Sequence, residues 1–175
     1  MEAVDQGRRP LRAVLDTSVL VPARLREELQ SLAQDGAFTA IWSPWILAKL
    51  HRTLTWRWIA RTATRVTAVG GAVATACDVT PANWERCGQH AKRMMQILLS
   101  TRHWELVDPR PPYPPAWETL EDLWDEPIWA AAVAGRAHYV VSDNTHDYPP
   151  AGADGRHVYA GVVYISGAEF LALLS

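Results

Sequence analysis

Cysteine is almost missing from this chain: Cys77 and Cys87 are the only two in 175 residues. Two thiols at that spacing make neither a disulfide framework nor a metal-ligand pattern, so they read as small buried hydrophobes in a reducing compartment. Long apolar runs are missing as well. The longest charge-free stretch, Val66 to Cys77, is diluted by Gly, Thr and Ala and falls well short of the ~20 apolar residues that a membrane span needs. Met1 to Arg12 carries scattered charges and no apolar segment of the secretory kind, which points to a cytoplasmic protein. The chain contains no GxxxxGK[ST], GxGxxG, HExxH or GxSxG pattern, so phosphate-loop, dinucleotide, zinc-protease and serine-hydrolase chemistries lose their sequence support. The six histidines have no ligand spacing, and only His146 lies near the candidate site developed below. Acidic residues are missing from one long stretch, with no Asp or Glu between Gly36 and Cys77.

What is present suits one compact domain over residues 1–175: 49% of the chain is hydrophobic and 21% charged. The net charge of -2 hides a segregation. From Lys49 to Arg102 nine basic residues (Lys49, Arg52, Arg57, Arg61, Arg65, Arg86, Lys92, Arg93, Arg102) accompany two acidic ones, Asp78 and Glu85. From Glu105 to Asp147 nine acidic residues accompany only Arg110 and Arg136. Solvated helix faces produce such segregation. So does a metal-dependent nuclease, whose carboxylates hold cations beside a rim that holds phosphates.

Arg12 to Leu15 is short, apolar and partly β-branched, and ends in Asp16, Thr17 and Ser18; it reads as a buried strand delivering Asp16 at its tip. Leu25, Leu29, Leu32 and Ala33 recur with helical spacing between Pro22 and Gly36. Phe38 to Trp42 reads as a second strand. Ser43 and Pro44 then open a helix with the stripe Ile46, Leu47, Leu50 and Leu54. Thr55 to Ala76 is expected to hold one or two further helices around Gly70 and Gly71. Another helix follows Thr80 and Pro81 towards Thr101. Trp104 to Val107 is a short strand candidate, and the five prolines from Pro109 to Pro115 demand a rigid loop. A helix over Ile128 to Ala137, strands over Tyr139 to Ser142 and Val158 to Ile165, and a helix over Ala168 to Leu174 complete the reading. Strands alternating with helices imply an α/β fold, a three-layer α/β/α arrangement with a mainly parallel sheet whose chemistry gathers at the carboxyl ends of the strands.

Asp16 follows one buried strand, Asp143, Asn144 and Asp147 follow another, and Asp122 and Asp125 precede the helix leading into the latter. Each alone is an ordinary cap or turn residue. Brought together at strand ends, they offer the oxygen donors that Mg²⁺ or Mn²⁺ prefers. A haloacid-dehalogenase-type phosphatase also places Asp-x-Asp after its first strand, but Ser18 stands at the second carboxylate position.

The blocks from Val14 to Leu25, Trp42 to Leu47, Asp122 to Ala132 and Val141 to Pro149, with Glu169-Phe170-Leu171 at the tail, resemble PIN domains, specifically a bacterial branch near the VapC-like toxins. The resemblance implies a Mg²⁺- or Mn²⁺-dependent endoribonuclease, often a toxin neutralised by a small antitoxin protein and commonly a homodimer. It implies that Asp16 is the first metal carboxylate and Asp125 the third, that Asn144 with Asp147 covers the fourth position, and that Asp122 is accessory. Ser18 then orients a ligand or phosphate, or caps a helix.

The second acidic position of that family reads Ala48-Lys49-Leu50 here, and no neighbouring carboxylate compensates. Lys49 can reach Asp16 or Asp125 as a built-in cation, bind a substrate phosphate, or turn to solvent. The neutral Asn144 amide weakens the same metal site. Metal affinity is therefore expected to be low and nuclease activity weak or lost, leaving a degenerate PIN fold that binds RNA or protein as the alternative. Arg52, Arg57 and Arg61, interleaved with Trp56 and Trp58, fit either a groove for single-stranded RNA or a charged face whose indoles anchor core or dimer contacts.

Overall fold

The computed structural model describes residues 10–70, 80–118, 120 and 124–175. Six strands, β1 (Leu11–Leu15), β2 (Phe38–Trp42), β3 (Trp104–Leu106), β4 (Tyr139–Val141), β5 (His157–Tyr159) and β6 (Val162–Ile165), form one sheet in the order β3-β2-β1-β4-β6-β5. All pairings are parallel except β5 with β6. Among the described residues six α-helices surround it: α1 (Thr17–Leu20), α2 (Ala23–Gln34), α3 (Pro44–Gly70), α4 (Pro81–Leu99), α5 (Glu126–Ala134) and α6 (Gly167–Leu174). The result is an α/β/α sandwich.

The register explains the two buried faces. Ile41, Val14, Val140 and Tyr164 lie side by side across β2, β1, β4 and β6. All four are buried, in keeping with a parallel sheet covered on both sides. α5 packs over β1, β2 and β4, and its end is so close to this row that a Cβ on Gly135 would lie 2.7 Å from Ile41 Cγ2. On the opposite face Phe38 meets Phe170 of α6 edge-on at 5.1 Å, and Tyr139 meets the same ring at 5.7 Å.

Two local expectations need correction. The strand expected over Val158 to Ile165 is a hairpin: Ala160 (φ 48°) and Gly161 (φ 85°) put two successive residues in the left-handed region, and the chain reverses into β5 and β6. The helix opened by Pro44 does not end near Leu54; it continues unbroken to Gly70, because nothing between Thr55 and Val69 is a helix breaker. The helix before Gly36 ends as read, with Gly36 at φ 80°. Cys87 is buried as a small hydrophobe, while Cys77 lies outside the described residues.

β1 is the turning point of the topology. The chain leaves it towards β2 and β3 on one side and returns to β4 on the other. Asp16 follows β1 and Ser142 follows β4, so the carboxyl ends flanking the switch point are polar.

Candidate functional site

Asp16 is fixed by its own turn. Its backbone N–H donates to Val141 O at 2.9 Å, which holds it against β4. Its Oδ2 accepts from Ser18 Oγ at 2.8 Å, from Ser18 N at 3.2 Å and from Ser142 Oγ at 3.1 Å. Thr17 Oγ1 donates to Oδ1 at 3.2 Å. The side chain therefore serves both as the N-cap of α1 and as a buried carboxylate facing the pocket. Ser18 is not the cap; it lies inside α1, donates to Asp16, and its Oγ accepts from Asp143 N at 2.9 Å, which ties the β1 turn to the β4 turn.

Lys49, one helical turn beyond Trp45 on α3, reaches across this arrangement. Its Nζ lies 2.7 Å from Asp125 Oδ1 and 3.4 Å from Asp16 Oδ1, with only a fifth of its side chain exposed. Of the placements open to Lys49, the observed one is the built-in cation between the two carboxylates.

The titration of the three groups follows from their partners. Burial works against ionisation of Asp16, but Lys49 and the donors on Ser18 and Thr17 outweigh it, and the carboxyl stays below its ordinary range. Asp125 is raised to about 6, chiefly by burial, with the charge of Asp16 and a hydrogen bond to Asp147 adding to the rise against Lys49. Lys49 is closer to Asp125 than to Asp16, yet Asp125 is the carboxyl that holds a proton more readily. The difference lies in the missing hydroxyl and amide donors: Asp16 collects several, whereas Asp125 shares its remaining space with another acid. Burial costs the Lys49 ammonium, but its two carboxylates more than offset this and raise its pKa.

A cavity of about 20 Å³, room for one water molecule, lies at this point and is lined by Asp16, Asp125, Asn144, Asp147 and buried aromatic side chains. Asn144 donates through Nδ2 to Asp147 Oδ2, so the expected fourth position is a linked amide and carboxylate. Asp143 turns away and accepts from Gly167 N at 2.9 Å, where it supports the start of α6. Asp122 lies outside the described residues. Arg52 stands near the site, its guanidinium 5.8 Å from the Trp124 ring centre, next in sequence to Asp125. Arg57 and Arg61 do not join it: they are exposed further along α3, where their charges act on Arg26 of α2, and Arg61 lies over Trp58. Trp58 stacks on His90 between α3 and α4, while Trp56 is about half exposed against the edge of Trp84.

Several contributors carry no sequence signal. Ser142 is an ordinary strand-end serine until β4 is placed beside β1. Trp117 comes from the proline-rich segment and packs edge-on against Trp129 and Tyr164. Trp129 Nε1 donates to Pro115 O at 3.1 Å and pins that segment over the cavity. Trp117 and Tyr164 line the cavity, and Trp117 Nε1 and Tyr164 Oη are buried without a hydrogen-bond partner among the described residues. Burial raises the Tyr148 and Tyr164 hydroxyls above their usual range, so both remain neutral.

A family model of the PIN domain matches residues 12–146, which is more than half of the chain. The chain belongs to the PIN-domain family. No curated protein and no solved structure matches it.

PIN domains typically use Mg²⁺ or Mn²⁺, and this member tests poorly for such an ion. Asp16, Asp125 and Asp147 all line the cavity, but Lys49 Nζ already occupies the cation's position towards two of them. Among the described residues, no three Asp, Glu, His or Cys side chains are grouped so as to hold a metal ion. As arranged, this PIN-domain site does not fit the ion.

Proposed function

We propose that this PIN domain binds single-stranded RNA as a module whose nuclease activity is weak or lost, an internal ion pair standing in place of the metal. The observation that carries the reading is the Lys49 ammonium at 2.7 Å from Asp125 and 3.4 Å from Asp16. A divalent ion entering beside it would meet a unit positive charge at close range, which costs about 4 kcal/mol per unit charge at ~4 Å and an effective dielectric near 20. The long exposed series Arg52, Arg57 and Arg61 on α3 and Arg86, Lys92 and Arg93 on α4 supports phosphate binding away from the acidic cavity.

A second reading is favoured by one observation: three carboxylates and Asn144 still face one cavity. In that reading the protein is a metal-dependent endoribonuclease from which Lys49 swings aside, with the small antitoxin partner and homodimeric state that the VapC-like resemblance implies. Incubation of a single-stranded RNA with the purified protein in Mn²⁺, Mg²⁺ or chelator, with Asp16→Asn in parallel, separates the two. The first reading expects RNA binding in all three and no Asp16-dependent cleavage. Cleavage that needs metal and disappears in Asp16→Asn establishes the second and overturns the first.

A further inference from the structure

Beside the ion-paired site lies an aromatic cluster that the site chemistry does not use. Trp45 and Trp124 are stacked with ring centres 5.3 Å apart and planes 19° apart. Trp45 Nε1 donates to Trp124 O at 3.1 Å, which locks the pair from two elements into one unit. The Arg52 guanidinium lies over Trp124, and 58% of Trp124 remains exposed. Covalent and helical geometry attach this unit to the site: Trp124 directly precedes Asp125, and Trp45 and Arg52 flank Lys49 on the same side of α3.

A large exposed indole is costly in water, and Trp124 stands exposed on a half-buried Trp45. Its chemistry suits a flat π-faced ligand carrying negative charge. Nucleobases extend an aromatic stack, and arginine serves both their faces and their phosphates. A protein segment would satisfy the indoles but leave the Arg52 guanidinium without the anion that it suits. A duplex would satisfy the arginines but keep its bases out of reach.

We infer that Trp45, Trp124 and Arg52 form a stacking subsite for one unpaired base of a single-stranded RNA, seated at the edge of the Asp125–Lys49–Asp16 site. The inference rests on the RNA-binding reading above and adds where a base is held. Occupancy of this subsite sets register, because the backbone leading from the base starts beside Arg52 and Lys49. Sequence preference at the subsite is slight, since every base has a π-face.

The test is fluorescence anisotropy of a labelled single-stranded RNA oligomer with the full chain in chelator, together with the fluorescence of the same oligomer carrying 2-aminopurine at successive positions. Wild type is expected to bind and to quench 2-aminopurine at one position. Trp124→Ala is expected to weaken binding about tenfold and abolish the quenching, and Trp124→Phe to restore most of both. Arg52→Ala is expected to weaken binding and flatten its salt dependence, a response that Trp124→Ala lacks. Thermal melting of each variant confirms that it is folded. If wild type binds while Trp124→Ala binds within twofold of it with quenching intact, the subsite inference is overturned and the RNA-binding reading stands. If folded wild type does not bind the RNA at all, both fall.

Discussion

Replacing Lys49 by glutamate changes the charge beside Asp16 and Asp125 by two units and removes the ammonium that both contact. In chelator the Lys49→Glu protein should melt below wild type, because buried carboxylates are left with like-charged company. Added Mn²⁺ should then stabilise the variant, by about 2.7 kcal/mol at a hundredfold excess over its dissociation constant, and leave wild type nearly unmoved. Thermal melting with and without Mn²⁺ checks this; an equal shift in wild type shows that Lys49 does not stand in the ion's place. Asp125 supplies a second residue-level test. Its folded-state value of about 6 exceeds the ordinary 3.8, so between roughly pH 4 and 6 the folded chain retains a proton that the unfolded chain has released. The stability contributed by this group is therefore lost as pH rises through that window, with an upper bound of about 3 kcal/mol. Asp16, held low, contributes in the opposite sense and only below pH 4. Urea denaturation at pH 4.5 and pH 7 should show the wild-type advantage over Asp125→Asn shrinking at the higher pH, and a constant difference would contradict the assignment.

At the scale of elements, legibility followed periodicity and local chemistry. β1, β2 and β4 were readable because short apolar runs end in polar turns, α2 because Pro22 and Gly36 bracket an apolar stripe, and α4 because Thr80 and Pro81 open one. The β5–β6 hairpin was not, since Ala160 adopts the left-handed region without the Asn or Asp that usually announces such a turn. The carboxylates at strand tips were legible, and so was the anomaly at Lys49. Its reach to both Asp16 and Asp125 was one option among three, because direction depends on how α3 leaves β2, a tertiary fact. Ser142 and Trp117 enter the site only through strand order and a proline-pinned loop. The seat of α5 matters most to the chemistry, because the residue at its N-cap is Asp125. Gly135 ends that helix at φ −82°, an unstrained value, so its need for glycine is spatial: an added Cβ meets Ile41 at 2.7 Å and Ala131 O at 3.0 Å. Gly135→Ala should cost about 1–3 kcal/mol by pushing α5 off the sheet, read as a lowered urea midpoint at unchanged slope. Destabilisation below ~0.5 kcal/mol would mean that Ile41 repacks freely.

Across the whole molecule the two charge populations end up on different parts of one surface. The acidic population contributes Asp125 and Asp147 to the cavity, and the basic population lies mainly along α3 and α4. Even with Lys49 in place, the cavity walls are more acidic than basic, so an RNA backbone gains little by entering and much by following the helices. On the proposed RNA-binding reading, that separation predicts that the salt dependence of binding belongs to the α3 arginines rather than to the cavity. For a single strand, each neutralised phosphate contributes about -0.7 to the slope of log K against log salt. Arg57→Ala combined with Arg61→Ala should therefore flatten the slope by about 1.4, with thermal stability nearly unchanged because both side chains are exposed. Asp147→Asn should leave the slope as it is and strengthen binding slightly by removing a repelling charge. A titration series from low to physiological salt measures both; a slope unchanged in the double arginine variant would place the RNA elsewhere on the surface and remove α3 from its path.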